Sequence, residues 1–163
     1  MSHHVVIHDA SVLIDLAAGG LLADFVRLGW HSETTHFVLQ EVQGDPRLSD
    51  WVTEQLEVTV LSGEELIELR LSASKGLSNA DLSALYLARE RNGILLTNDS
   101  KLRKMAAAAN VRYQGILGIM VCLHTEQICS GQRLDKALDA MLAAGARLPP
   151  RDCELHREIW RLG

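Results

Sequence analysis

Four acidic residues occupy positions in the sequence from which they could act together: Asp9, Glu41, Asp81 and Asp99. Asp9 and Asp99 each end a short apolar run where a helix-like segment begins, as in GILLTNDSKLRK (93–104). Carboxylates that crowd together repel one another, which raises their pKa values or requires a cation. All-oxygen ligation favours Mg²⁺ or Mn²⁺. Such a metal binds phosphate and activates water, so convergence of the four acids predicts phosphodiester hydrolysis.

The elements that must position these acids are short strands that alternate with helices. Strands are predicted at 5–8, 36–39, 56–61, 94–97 and 111–113. Helices are predicted at 11–18, 21–28, 64–73, 80–91 and 101–109, and near 116–128, 132–144 and 151–161. This alternation indicates a parallel sheet flanked by helices. In such sheets ligands bind outside the carboxyl ends of the strands, so we expect Asp9 and Asp99 at the same edge.

Composition restricts the class of protein. The chain has 163 residues, of which 47% are hydrophobic and 23% charged, which is typical of a single soluble domain. Its longest apolar run (116–123) is too short to span a membrane, and we expect a cytoplasmic protein without a signal peptide. The net charge of -5 argues mildly against a nucleic-acid partner, although that objection weakens if four acids bind metal. Three cysteines without metal-binding spacing favour free, buried thiols.

Four segments of the sequence resemble the PIN-domain family of metal-dependent ribonucleases: VVIHDASVLIDLA (5–17), FVLQEV (37–42), LSNADLSALYLA (77–88) and ILLTNDSKLRKMA (94–106). YQGILGIM (113–120) resembles an element of some prokaryotic PIN proteins, many of them VapC-like ribonuclease toxins. The resemblance covers about residues 5 to 128. It implies one three-layer α/β/α domain over 1–163, with a central short-stranded parallel sheet and a helical C-terminal extension over about 130–163.

The resemblance also implies an activity and a role for each acid. The activity is hydrolysis of single-stranded RNA with one or two Mg²⁺ or Mn²⁺ ions. All four acids would be catalytic and would belong to the metal site: Asp9 and Asp99 as the principal ligands, Asp81 completing the set directly or through water. Glu41, the fourth candidate ligand, would orient or deprotonate the attacking water. Three further residues would hold the carboxylates in place by hydrogen bonds: Ser11, Thr97 and Asn98.

Each acid also has a purely structural interpretation. Asp9 or Asp99 could cap the helix that follows it. Asp81 could complement a helix dipole, and Glu41 could be an exposed loop residue. Order and spacing favour a shared site over four independent coincidences.

Three basic residues follow Asp99 on a predicted helix: Lys101, Arg103 and Lys104. They are equally consistent with a solvated helix face and with contacts to RNA phosphates.

Other functions compete with the nuclease. A PIN-like fold could bind a protein or RNA partner without cutting, and a toxin would also bind an antitoxin. The apolar segments LGIMVCL (117–123) and LDAML (138–142) could form a homodimer face, or simply pack in the core. Phosphoryl transfer through an aspartyl nucleophile ranks lower, because Asp9 is followed by Ala10 and Ser11 rather than by the D-x-D pattern of that class.

Overall fold

The computed structural model describes residues 5–73 and 75–162. The strands within these residues are β1 (Val5–His8), β2 (His31–Thr35), β3 (Glu57–Thr59), β4 (Ile94–Leu96) and β5 (Arg112–Gln114). The helices are α1 (Ala10–Ala18), α2 (Leu22–Val26), α3 (His36–Val42), α4 (Pro46–Gln55), α5 (Ile67–Ser72), α6 (Asn79–Glu90), α7 (Ser100–Ala108), α8 (Ile116–Thr125), α9 (Gly131–Ala143) and α10 (Pro150–Arg161). A 3₁₀ turn at Glu64–Leu66 leads into α5.

The strands form one parallel sheet in the order β3-β2-β1-β4-β5. The chain builds the sheet from β1 through β2 to β3, and then returns to place β4 and β5 on the other side of β1. The direction of winding therefore reverses between β1 and β4, and in open parallel sheets ligands bind at such a switch point. The predicted α/β class, a three-layer α/β/α fold with a central parallel sheet, is confirmed.

The described residues fall into two compact units. The first contains the chain up to Leu13 and Trp30–Gln114, and therefore the whole sheet. The second contains Ile14–Gly29 and the chain from Gly115 onward. The expectation of a single domain over 1–163 stays a prediction.

Helix α6 illustrates how local sequence sets an element that the site needs. Ser78 caps the helix by accepting a hydrogen bond from the backbone N–H of Asp81, and the Asp81 carboxylate accepts one from the Ser78 N–H. This reciprocal pair satisfies two of the free N–H groups at a helix start. Leu82 and Leu85 are fully buried, and the helix packs on β1, β2 and β4. Asn92 follows the helix at a φ of 50°, a left-handed conformation that is typical of the residue after a helix end.

One predicted strand was wrong. Residues 36–39 are not a strand but the start of α3, and the second strand is His31–Thr35. Alternation of apolar residues could not identify this strand, because its buried residues are polar: Glu33, Thr34 and Thr35. Thr35 ends the strand and caps α3, since its hydroxyl accepts a hydrogen bond from the Val38 N–H at 3.2 Å.

Helix α4 was not predicted, although its start has a recognisable signature. Asp45 accepts hydrogen bonds from the N–H groups of Arg47 and Leu48, and Pro46 occupies the first helical turn. Asp followed by Pro is typical of a helix start, because proline's missing N–H would be unpaired there in any case.

The predicted helical C-terminal third is confirmed as α8, α9 and α10. The last two pack against each other so closely that a Cβ at Gly131 would lie 2.1 Å from the Trp160 carbonyl oxygen. Arg157 of α10 forms ion pairs with Asp135 and Asp139 of α9. Across the described ranges, no helix combines the length and apolar character needed to cross a membrane. The cysteines are free thiols, and Cys129 and Cys153 are buried.

A close approach of two backbones makes Gly93 the residue to test in the fold. Gly93 precedes β4, and a Cβ there would lie 2.6 Å from the carbonyl oxygen of Val5 in β1. We expect Gly93→Ala to lower the free energy of unfolding by about 1–3 kcal/mol, the usual cost of overpacking. Urea denaturation measures this change.

Gly44→Ala is the matched control. Gly44 is exposed, and a Cβ there meets nothing within 4 Å. It should lose no stability and can gain about 0.4–1 kcal/mol through a less flexible unfolded chain. Equal stability of the two variants would show that β1 and β4 do not need the close contact.

Candidate functional site

Asp9 is a buried carboxylate at the carboxyl edge of the sheet, which we define as the edge where β1, β2 and β4 end. Its exposed fraction is 2%. Its Oδ1 accepts a hydrogen bond from the N–H of Ala10 at 2.8 Å. Its Oδ2 accepts bonds from the hydroxyls of Ser11 at 3.0 Å and Thr97 at 2.6 Å. A carboxylate offers about four acceptor sites, so three donors leave it one further site.

The segment after β4 is joined to Asp9 by the same hydroxyls. The Thr97 hydroxyl, which donates to Asp9, accepts a hydrogen bond from the N–H of Asp99 at 3.1 Å. The Ser11 hydroxyl accepts one from the N–H of Asn98 at 3.2 Å. The structure therefore brings Asp9, Ser11 and the Thr97-Asn98-Asp99 segment together. That they form a catalytic site stays a prediction.

Asp99 is a helix cap and still has a free carboxylate oxygen. Its Oδ1 accepts hydrogen bonds from the N–H groups of Lys101 at 2.8 Å and Leu102 at 3.0 Å, which caps α7. Its Oδ2 accepts no hydrogen bond from the described residues. The two interpretations offered by the sequence, cap and ligand, are therefore compatible, because they use different oxygens.

Asp81 lies close enough to Asp9 for its charge to affect that carboxyl group. Burial raises the pKa of Asp9 from its ordinary value of 3.8 to about 6. The hydrogen bond from Thr97 opposes this rise, the negative charge of Asp81 adds to it, and the bonds from Ser11 and Ala10 oppose it. Asp81 itself is half-buried and is held by its bond to Ser78 at 2.8 Å.

No described basic side chain neutralises these acids. The ion pairs formed by the described residues include none to Asp9, Asp81 or Asp99. His8 precedes Asp9 but is fully buried, and that burial lowers its pKa to about 3, so it is neutral. Carboxylate oxygens without a counter-charge fit a hard divalent cation such as Mg²⁺ or Mn²⁺.

Glu41 is placed differently from the other three acids. It was expected shortly after a strand at 36–39, but it lies in the last turn of α3, six residues beyond the end of β2. Its side chain is exposed and forms no hydrogen bond or ion pair with the described residues. Its role in the site stays a prediction.

The three predicted phosphate-contacting bases have different environments. Lys101 donates to the carbonyl oxygen of Lys75 at 3.0 Å, so its ammonium group is engaged with the loop before α6. The guanidinium of Arg103 lies over the ring of Tyr113, 4.9 Å from its centroid. Lys104 is exposed on α7. Of the three, Lys104 fits the simple solvated face, because it has no hydrogen bond, ion pair or ring contact with the described residues.

A second acidic cluster lies at the opposite edge of the sheet, where β2 and β3 begin. The ligand atoms of His31, Glu33 and Glu57 lie within 4.8 Å of one another, a grouping that could hold a metal ion. Arg91 binds Glu33 at 3.2 Å, and His31 lies 3.2 Å from Glu57. Because a fixed guanidinium already neutralises the buried Glu33, an ion-pair cluster explains this group without a metal.

Sequence reasoning missed the buried hydroxyl groups of β2. Thr34 donates to the His8 carbonyl oxygen at 2.8 Å, and the Thr35 hydroxyl lies 2.6 Å from that of Ser83 in α6. The strand carrying these residues was misplaced, so their position at the carboxyl edge could not be seen. The available signal was the ETTH segment, in which two β-branched residues precede a helix start.

Comparisons with known proteins agree with this fold. The sequence profile described as PIN domain matches residues 5–160. A PilT N-terminus domain protein from Sulfolobus solfataricus superposes with a TM-score of 0.52 at 12% identity, covering 74% of this chain and 93% of its own. PAE2754 from Pyrobaculum aerophilum gives a TM-score of 0.57 at 17% identity, covering 76% and 91% respectively. At these identities the likeness is one of fold. Among curated proteins, no relative matches the sequence.

The buried Asp9 predicts a pH dependence of stability. With a pKa of about 6 when folded and 3.8 ordinarily, Asp9 holds its proton more tightly in the folded state. Its contribution to the free energy of unfolding is therefore full below pH 3.8, the ordinary pKa, and is lost as the pH rises through the folded-state pKa of about 6. In EDTA, the free energy of unfolding should fall by up to about 3 kcal/mol from Asp9 alone between about pH 4 and pH 7. Urea denaturation across this range measures it.

Asp9→Asn should remove that part of the slope, because the amide does not titrate. Asp50→Asn, at an exposed position in α4, is the control and should keep the wild-type slope. An unchanged slope in Asp9→Asn would mean that Asp9 is not the group responsible.

Proposed function

Because the chain belongs to the PIN-domain family, whose members are generally nucleases, we propose that it is a metal-dependent endoribonuclease acting on single-stranded RNA. The observation that carries this proposal is the buried Asp9 carboxylate, hydrogen-bonded to Ser11 and Thr97 at the switch point of the sheet. It lies beside Asp81 and is connected through Thr97 to Asp99, with no described basic partner.

The proposed roles follow from the oxygens that remain available. Asp9 has one acceptor site left, and Asp99 has its Oδ2, so these two would hold Mg²⁺ or Mn²⁺. Asp81 would complete the ligand set. When bound, the ion would supply positive charge for the phosphate and lower the pKa of a water molecule.

The remaining residues would serve hydrolysis by holding groups and moving a proton. Ser11 and Thr97 keep Asp9 in one orientation, and the backbone of Asn98 is fixed to Ser11. Glu41 would orient the attacking water and accept its proton as the new oxygen–phosphorus bond forms. The phosphorus–oxygen bond to the leaving ribose would break in the same step, and the leaving oxygen would take a proton from solvent water. Lys104 would contact a neighbouring phosphate, which positions the strand without reading its sequence.

RNA cleavage tests this proposal directly. Single-stranded RNA incubated with the protein in Mg²⁺ or Mn²⁺ should be cut, and EDTA should abolish the cutting. Asp9→Asn should lower the rate by more than about 100-fold, since even outer partners of metal ligands cost 10–100-fold. Asp50→Asn should cut like the wild type. Product analysis on a denaturing gel measures each rate.

The pattern of loss separates the possible outcomes. Glu41→Gln should lower the rate and leave Mn²⁺ affinity unchanged, as expected of a base that does not bind metal. If the protein bound Mn²⁺ but cleaved no single-stranded RNA, the proposed substrate would be wrong and the proposed metal site would still be supported. Neither binding nor cleavage would overturn the nuclease and favour a catalytically silent module that acts through a protein or RNA partner.

We also propose that the protein is the toxin of a toxin–antitoxin pair. The support is the resemblance of YQGILGIM (113–120) to an element of prokaryotic PIN toxins, a segment that here forms the end of β5 and the start of α8. The homodimer stays a prediction with less support, since half of the apolar side chains considered for its interface are buried within one chain: Ile119, Met120, Leu123, Leu138 and Met141.

Expression in a bacterial host tests the toxin assignment. The wild-type protein should arrest growth because it degrades RNA, and Asp9→Asn should not. Co-expression of the protein encoded by the neighbouring gene should restore growth if that protein is the antitoxin. Growth unaffected by a wild-type protein that cleaves RNA in vitro would point to a housekeeping nuclease. Colony counts after induction provide the measurement.

A further inference from the structure

A chain of buried hydroxyl groups connects β2 to α6. The hydroxyl oxygens of Thr35 and Ser83 lie 2.6 Å apart, and both residues are 0% exposed. Ser83 donates its hydrogen to the carbonyl oxygen of Ala80 at 2.7 Å, and a carbonyl can only accept. The Thr35 hydroxyl must therefore donate to Ser83, while it accepts from the N–H of Val38 at 3.2 Å. Each hydroxyl in the chain has both a donor and an acceptor role.

Thr35 lies at the point of the sheet where Asp9 leaves it. In the parallel register of β1 and β2, Ile7 pairs with Glu33. Continuing this register by two residues would bring Thr35 level with Asp9. Thr34 supports this alignment, because its hydroxyl donates to the His8 carbonyl oxygen at 2.8 Å. The end of β2 is thus fixed to the end of β1 beside the acidic site.

Ser83 lies two residues after Asp81 in α6. The reciprocal hydrogen bonds between Asp81 and Ser78 set the Asp81 side chain relative to its own helix, but they do not set the helix relative to the sheet. Burial of Leu82 stabilises the packing of α6. Because the hydrophobic effect is non-directional, this burial does not by itself fix one position of the helix. The bond from Thr35 is a directional contact between the first turns of α6 and the carboxyl edge.

We infer that the Thr35–Ser83 hydrogen bond positions Asp81 relative to Asp9 and thereby sets the affinity of the acidic site for a divalent cation. The metal part of this inference rests on the proposed function. Thr35 and Ser83 are positioning residues, since the hydrogen bonds of their hydroxyls go to each other, to the Val38 N–H and to the Ala80 carbonyl rather than to a carboxylate. Outer partners of metal ligands change metal affinity by about 10–100-fold, so the expected effect is measurable.

Ser83→Ala removes this bond and leaves the Thr35 cap on α3 intact. Its Mn²⁺ affinity, measured by calorimetry on the full chain, should fall by about tenfold. Thr35→Ser keeps the hydroxyl and should keep wild-type affinity. Ser72→Ala is the matched control: Ser72 also donates to a carbonyl three residues earlier, that of Leu69, but it is exposed on α5.

A metal-free measurement keeps the inference separate from the proposed function. In Ser83→Ala, amide hydrogen exchange at Asp81 and Leu82 should accelerate by about fivefold, the effect of losing one neutral hydrogen bond. Exchange at Ala88, near the end of α6, should not change. Uniform acceleration along α6 would indicate a purely structural role and overturn the inference.

The two failures give different results. Wild-type binding of Mn²⁺ with unchanged affinity in Ser83→Ala would overturn the inference and leave the nuclease proposal intact. A wild type that binds no Mn²⁺ would overturn the metal part of the proposed function. Local acceleration at Asp81 and Leu82 would then still support the positioning of Asp81, and its absence would overturn that as well.

Discussion

The rest of the site depends on one constraint: the Asp9 carboxylate is buried at the switch point of a parallel sheet. Burying a charge is costly unless hydrogen bonds or an opposite charge compensate. Asp9 receives three hydrogen bonds, from the Ala10 backbone and the hydroxyls of Ser11 and Thr97, but no described cation. The hydrogen bonds keep the carboxylate in one orientation and leave its charge uncompensated. A buried carboxylate without a counter-charge is expected at a functional site rather than in a purely structural core.

Short polar side chains, rather than loops alone, connect the carboxyl edge of the sheet. Thr97 joins the Asp9 carboxylate to the backbone of Asp99, so β1 and β4 share one hydrogen-bond network. Thr34 connects β2 to β1 by its hydrogen bond to the His8 carbonyl oxygen, and Thr35 connects β2 to α6 by its hydrogen bond to Ser83. Buried hydroxyls are tolerated here because each has a partner. The ends of β1, β2 and β4 are therefore connected by hydrogen bonds beside the acids.

The two acidic clusters on this sheet differ in how their charge is balanced. At the edge where the strands begin, Arg91 binds the buried Glu33, and His31 lies between Glu33 and Glu57. At the carboxyl edge, no described Lys, Arg or charged His pairs with Asp9 or its acidic neighbour Asp81. The first cluster is complete within the protein. The second requires a proton or a cation from solution, and this difference supports the proposal that the chemistry takes place there.

The sequence by itself determined the elements whose signals are local. β1 is an apolar run that ends just before Asp9, and β4 is one that ends just before Thr97. Helix α6 has a recognisable cap residue, and its buried leucines recur at helical spacing. These follow from backbone propensity and periodicity, and with the family resemblance they identified the fold. Only the tertiary structure showed that the second strand is His31–Thr35, with its buried polar residues. Only the tertiary structure showed that Glu41 lies in a helix, α3. β2 is stabilised by partners distant in sequence, Ser83 and Arg91, so no local pattern of apolar residues could reveal it.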